Sequence, residues 1–276
     1  MPVKKDPSGR RSVEVETEVP GTPEEVWRAI ATGPGISAWF VPTKLEEREG
    51  GTILLDFGPG MESKAVITVW DPPRRFVGEN KEGMGPGAPP MATEWTVEAK
   101  AGGTCRVRVV HSWFASTDDW DNEYESVEKG WPAFFRVLGI YMAHFRGQPS
   151  EIVSFMAMTP ESKSEAWERL LGGLGLSRLA EGQRVETAHG APRLKGIVER
   201  VVDDSELFLR LEEPTSGVAH LSPMVMGNQV CLWVCFYLYG AQAGAVAARE
   251  TPAWQAWIDR LVPPADAASG SEATQG

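Results

Sequence analysis

A histidine and a tryptophan stand two residues apart in the stretch RVRVVHSWF, Arg106 to Phe114. Successive side chains of a β-strand face opposite sides. Val107, Val109, His111 and Trp113 therefore share one face, and Arg106, Arg108, Val110 and Ser112 share the other. An imidazole on an otherwise apolar face has two uses. It can be a core histidine satisfied by a hydroxyl or a carbonyl. It can also orient a ligand or move a proton, because its ordinary pKa lies near working pH. On the strand ATEWTVEAK, Thr93, Trp95 and Val97 form a matching face. Trp39 and Phe40 are carried by the second of two short opening helices, Phe57 ends the strand GTILLDF, and Trp131, Phe135 and Leu138 lie on the last helix of the first half. If these converge, they line an apolar pocket with few polar groups, the usual make-up of a small-molecule site. The expected ligand-contacting set is Trp39, Phe40, Phe57, Trp95, His111, Trp113, Trp131, Phe135 and Leu138. His111 is the candidate acid or base, with Tyr141 as its partner.

Other chemistries find little support. The four histidines, His111, His144, His189 and His220, are scattered, and neither an HExxH motif nor a Cys/His ligand spacing exists, so no metal is expected. There is no G-x-S-x-G turn for a nucleophilic serine. The stretch GMGPGAPP, Gly83 to Pro90, lies between strands and lacks a Gly-Lys-Ser/Thr sequence. It reads as a long connection over a cavity mouth rather than a phosphate loop. The acidic pairs Asp118-Asp119 and Glu46-Glu47 read as solvated charge. No cofactor is expected.

Composition bounds the partners. The chain has 276 residues, a hydrophobic fraction of 42% with eleven Trp, and a net charge of −11. The length suits two domains, and the apolar content suits a packed core. The acidic balance argues against nucleic acid and against anionic membrane surfaces. No apolar stretch reaches the ~18 residues needed to cross a bilayer, and the basic N-terminus lacks the apolar segment of a signal peptide. Cys105, Cys231 and Cys235 are an odd count, and the last two, on one strand, stand ~13 Å apart at strand rise. A soluble, cytoplasmic protein is expected.

The elements that must position these residues alternate in period. SVEVETEVP reads as a strand with one wet face, and TPEEVWRAI as a helix capped by Thr22 with Pro23 in its first turn. TGPGISAWF adds a second short helix. The strands VPTKLEE, GTILLDF, SKAVITVWD, RRFVGEN, ATEWTVEAK and TCRVRVVHSWF follow, separated by Gly- and Pro-rich turns. EYESVEKGWPAFFRVLGIYMAHF then takes up helical spacing, with Pro132 implying a start or a kink. A curved antiparallel sheet with one long helix across its concave face buries both apolar stripes and can leave space between them.

VPGTPEEVWRAIATGPGISAWF and VEKGWPAFFRVLGIYMAHF together resemble the opening strand and helices, and the closing helix, of the START-like superfamily, also called the SRPBCC or Bet v 1-like helix-grip fold. Within it the resemblance is to the branch named after the C-terminal domain of the activator of Hsp90 ATPase, over most of residues 10–147. The resemblance implies an α+β fold with a cavity for a hydrophobic or amphipathic small molecule. It also implies two alternatives: a polyketide cyclase- or aromatase-like enzyme with His111 as acid/base, and a chaperone-associated interaction module.

The second half echoes the first. IVSFMAMTPESKSEAWERLLGGLGL repeats strand, polar turn and Trp-bearing helix, and AGAVAARETPAWQAWIDRLV is a closing helix. The expected domains are a helix-grip domain at 10–147, a second and divergent one at 151–262, and a disordered tail at 263–276. In VCLWVCFYLY both faces are apolar, so residues 229–239 are expected to form a homodimer contact or tight interdomain packing.

Overall fold

The computed structural model describes residues 3–58, 60–83, 87–115, 119–203 and 205–262, with the backbone alone for 121–128. Part of the glycine-rich connection (84–86), Asp118 of one acidic pair and the tail 263–276 lie outside the described residues. The chain divides into two compact units, 1–147 and 148–276. Both are α+β, with an antiparallel sheet and a long final helix.

Unit 1 runs β1 (Lys4–Lys5), β2 (Arg10–Pro20), α1 (Pro23–Ala31), α2 (Gly33–Ser37), β3 (Thr43–Leu45), β4 (Thr52–Asp56), β5 (Glu62–Asp71), β6 (Arg75–Asn80), β7 (Met91–Lys100), β8 (Thr104–Phe114) and α3 (Asp121–His144). Its eight strands are ordered β1-β2-β8-β7-β6-β5-β4-β3. The two-residue β1, which the charged N-terminus does not announce, pairs Lys4 with Ser12 and Lys5 with Arg11. The expected alternation on β8 holds: Val107, Val109, His111 and Trp113 are buried. On the opposite face Arg106, Arg108 and Ser112 are partly exposed while Val110 is buried, and cross-strand pairs lace it, Arg75 to Glu94 at 2.7 Å and Arg108 to Glu14 at 3.1 Å. Exposed pairs of this kind contribute up to about 1 kcal/mol each.

Register sets the site. On β8, His111 lies opposite Val13 of β2 and Thr93 of β7. The apolar stripe of α3, with Trp131, Phe135, Leu138 and Met142 at intervals of three and four, is buried. Pro132 sits inside this helix rather than at its start, which corrects one of the two sequence expectations. Arg146, just beyond α3, meets Glu25 of α1 at 2.6 Å. Glu25 also completes the capping box of α1, its carboxylate accepting from the Thr22 N–H at 2.9 Å.

Between α1 and α2 the chain turns too tightly for a side chain. Thr32 caps α2 by accepting from the Gly35 N–H at 3.0 Å. A Cβ on Gly35 would overlap the Arg28 carbonyl and stand 2.9 Å from the Ala29 Cα. This close approach directs the chain into Trp39, whose indole N–H donates to the Ala29 carbonyl at 2.9 Å.

Unit 2 runs β9 (Ser150–Thr159), α4 (Lys163–Leu174), β10 (Arg184–Glu186), β11 (Lys195–Val202), β12 (Glu206–Glu213), β13 (Gly217–Met226), β14 (Gln229–Tyr239) and α5 (Ala243–Leu261). Its sheet order is β10-β11-β12-β13-β14-β9. Leu232, Val234, Phe236 and Leu238 of β14 join Trp167, Trp254 and Trp257 in one core. Cys231, Cys235, Tyr237 and Tyr239, on the other face of β14, are buried too. The cysteines are free thiols, and burial pushes Cys235 up to about 12, far from a reactive thiolate.

Gly35→Ala is expected to lower the stability of the protein by about 2 kcal/mol or more, because neither backbone segment can yield. Urea unfolding followed by tryptophan fluorescence measures this, and an unchanged midpoint would refute the close approach.

Candidate functional site

Between the concave face of the sheet and α3, unit 1 encloses a cavity of about 700 Å³. This lies within the range of ligand sites, roughly 300–1,000 Å³. The sheet contributes its walls through inward positions of β4 to β8: Ile53, Ala65, Phe76, Thr93, Trp95 and His111. Ile36 and Phe40 come from α2 and the turn after it, and Gly130, Trp131 and Phe134 from α3. The charged lining residues Glu62, Lys64 and Glu82 are exposed and mark the mouth, together with Phe57 and Met61, 42% and 52% exposed.

The aromatic groups brace each other. Phe40 stacks on Trp131 with ring centroids 5.1 Å apart and meets Phe134 edge-on at 4.6 Å. Trp95 meets Trp131 edge-on at 5.2 Å and stacks with Phe76 at 6.3 Å. Such pairs contribute about 0.5–1.5 kcal/mol beyond their buried area. The aromatic wall of the cavity is therefore held by contacts within the protein itself.

At its inner end lies a chain of three polar side chains. The Trp131 indole N–H donates to His111 Nε2 at 2.8 Å. His111 Nδ1 and Thr93 Oγ1 are 2.9 Å apart. His111 is 5% exposed.

Of the nine residues expected at the ligand, five line the cavity: Phe40, Phe57, Trp95, His111 and Trp131. Trp39, Trp113, Phe135 and Leu138 do not, and the reason is packing. Trp39 turns into the core to bond Ala29. Phe135 packs against Trp39 and Trp95, at 6.4 and 6.2 Å, and Leu138 is fully buried a turn further on. Trp113 joins a separate cluster with Val13, against which Met91 and Trp120 pack. Tyr141 points elsewhere, its hydroxyl accepting from the Gly147 N–H at 3.1 Å. The site residues missing from the expectation, Ile53, Ser63 and Ala65 among them, come from β4 and β5. Ser63 and Ala65 are small, and neither they nor Ile53 carries a group that distinguishes a cavity wall from ordinary core.

Residues 20–143 match the model of the family described as activator of Hsp90 ATPase homolog 1-like protein. Unit 1 carries an AHSA1-like domain. Unit 2, outside the matched residues, likewise pairs its first long strand with its last and ends in a long helix. No curated protein matches the chain. CalU16 from Micromonospora echinospora is 22% identical, with 52% of this chain and 83% of that chain covered, at a TM-score of 0.41. DynU16, from the dynemicin biosynthetic locus, is 19% identical over 91% of this chain and 97% of its own, at 0.42. The di-domain ARO/CYC BexL, from the BE-7585A biosynthetic pathway, is 13% identical over 92% and 99%, at 0.44.

The hydrogen bonds fix the chemistry of the histidine in the AHSA1-like domain. An indole nitrogen only donates, so His111 Nε2 is the acceptor and carries no proton. The neutral ring then holds its proton on Nδ1 and donates it to Thr93 Oγ1. Burial pushes the His111 pKa down to about 4, and protonating Nε2 would also break the bond from Trp131. The ring is a neutral link between helix and sheet at pH 7. Among the described residues no group of three or more His, Cys, Asp or Glu could hold a metal ion, and no helix is long and apolar enough to cross a membrane.

This depression has a measurable sign. In the unfolded chain the imidazole takes up a proton near pH 6.5; in the folded domain it does so only near pH 4. Its contribution to stability is intact above pH 6.5, falls as pH drops from about 6.5 to about 4, and then levels off. His111→Leu lacks this component. The stability difference between the parent protein and the variant should shrink by about 2 kcal/mol between pH 7 and pH 5, read from urea unfolding at both. A constant difference would place the folded-state pKa near its ordinary value.

Proposed function

We propose that the AHSA1-like domain binds a hydrophobic or amphipathic small molecule between its sheet and α3. The observation that carries this reading is the aromatic-walled cavity of about 700 Å³ with its charged groups confined to the mouth. Size supports it energetically. A dry cavity of this volume would cost about 17 kcal/mol at about 24 cal/mol per Å³, more than the roughly 5–15 kcal/mol that holds a domain together. The space therefore contains water or ligand, and an aromatic wall gives water few partners. Replacing that water with apolar surface is favourable.

A catalytic reading would assign acid or base work to His111. Its bonding weighs against that role: Nε2 already accepts from Trp131, and Nδ1 serves Thr93. The chaperone-associated reading stands on the family description alone and gains nothing from this geometry.

Ala65 lines the cavity midway along β5, so Ala65→Phe narrows it from that wall while leaving Trp131, His111 and Thr93 in place. The uncharged fluorophore N-phenyl-1-naphthylamine should bind the parent protein saturably, one probe per chain. The variant should bind at least about tenfold more weakly, about 1.4 kcal/mol, with its unfolding midpoint lowered little. Absence of saturable uptake, or equal uptake by a folded variant, would refute the proposal.

A further inference from the structure

The polar chain has a direction, and the direction selects a ligand. Trp131 gives its only proton to His111, and His111, with Nε2 so occupied, gives its only ring proton to Thr93. Thr93 Oγ1 is the terminal acceptor, makes no other hydrogen bond among the described residues, and lines the cavity. What remains is its own O–H and one lone pair. Accepting a bond polarises a hydroxyl and makes it a stronger donor and a weaker acceptor. Ser63, across the cavity wall, is similar: its Oγ accepts from Asn80 Nδ2 at 3.3 Å. Asn80 itself is spent on the turn that follows, donating to the Gly83 carbonyl at 3.0 Å and accepting from the Glu82 N–H at 2.9 Å. The charged lining groups Glu62, Lys64 and Glu82 are all exposed at the mouth. A buried ligand charge would have no counter-charge on the inner wall and would be costly.

From this we infer that Thr93 is the specificity-determining residue of the site, and that it selects an uncharged, largely apolar molecule bearing a carbonyl oxygen, to which the Thr93 hydroxyl donates. The inference rests on the binding reading above. Trp131, His111 and Thr93 then act as a relay that orients one O–H into an apolar space. His111 is a positioning residue in this relay and exchanges no proton with the ligand.

The test uses two tricyclic probes of nearly equal shape, 9-fluorenone, which has a carbonyl, and fluorene, which lacks it. Titrated into the full chain and followed by tryptophan fluorescence, fluorenone should bind about 5- to 10-fold more tightly than fluorene, the worth of one neutral hydrogen bond. Thr93→Val should abolish the preference by weakening fluorenone alone, and Thr93→Ser should restore it. The infrared carbonyl stretch of bound fluorenone should lie at lower frequency in the parent protein than in hexane, a readout that needs no variant. If both probes bind equally and the carbonyl stretch is unshifted, the inference falls while the cavity still binds. If neither probe binds, the binding reading falls and takes the inference with it.

Discussion

Two hydrogen bonds at a single imidazole join the closing helix of unit 1 to its sheet beside the cavity. Trp131 on α3 reaches down to His111 on β8, and His111 reaches across to Thr93 on β7. These tie the closing helix to the sheet at the point where helix and sheet stand apart around a cavity. Elsewhere the grip is held by apolar packing, which is strong but adaptable. Here the tie is directional, and it fails if either nitrogen changes its protonation. Burial protects it by keeping the ring neutral.

The cavity follows from where bulk is placed. Large side chains crowd one end of the space, where Trp39, Phe135 and Leu138 fill it. At the other end the wall of β5 and β6 is lined by Ser63, Ala65 and Gly78. A Cβ on Gly78 would stand 3.1 Å from Ile53 Cδ1. Small residues on this wall and a helix held off by aromatic rings leave a volume that packing alone would have closed. Unit 2 uses the same grip differently. Its β14 core residues, together with Trp167, Trp254 and Trp257, form one dense cluster. The two units share an architecture and differ in what their interiors are filled with.

Much of this was legible in the chain. Period two on β8 placed His111 and Trp113 inward, and the N-cap at Thr22 with Pro23 placed α1. The change of period after residue 120 placed α3. The sequence could not say how far each aromatic side chain lies from open space. Trp39 and Phe40 are adjacent, yet one is spent on the Ala29 carbonyl and the other faces the cavity. Trp113 shares a strand face with His111, but the sheet carries it two residues along into a separate cluster. Facing inward is a local property that alternation encodes; lining a cavity depends on what stands opposite. The tautomer of His111 was invisible for the same reason, since its donor lies twenty residues away on another element.

The most direct measurement is the ¹⁵N NMR spectrum of the His111 ring in the full chain, with His111→Gln for assignment, recorded from pH 7 to pH 5. A neutral relay predicts a protonated Nδ1 and an unprotonated Nε2, with no more than about a tenth of the full titration shift by pH 5. A ring protonated on Nε2, or one that titrates near pH 6.5, would contradict the relay and return His111 to the ranks of ordinary acid–base groups.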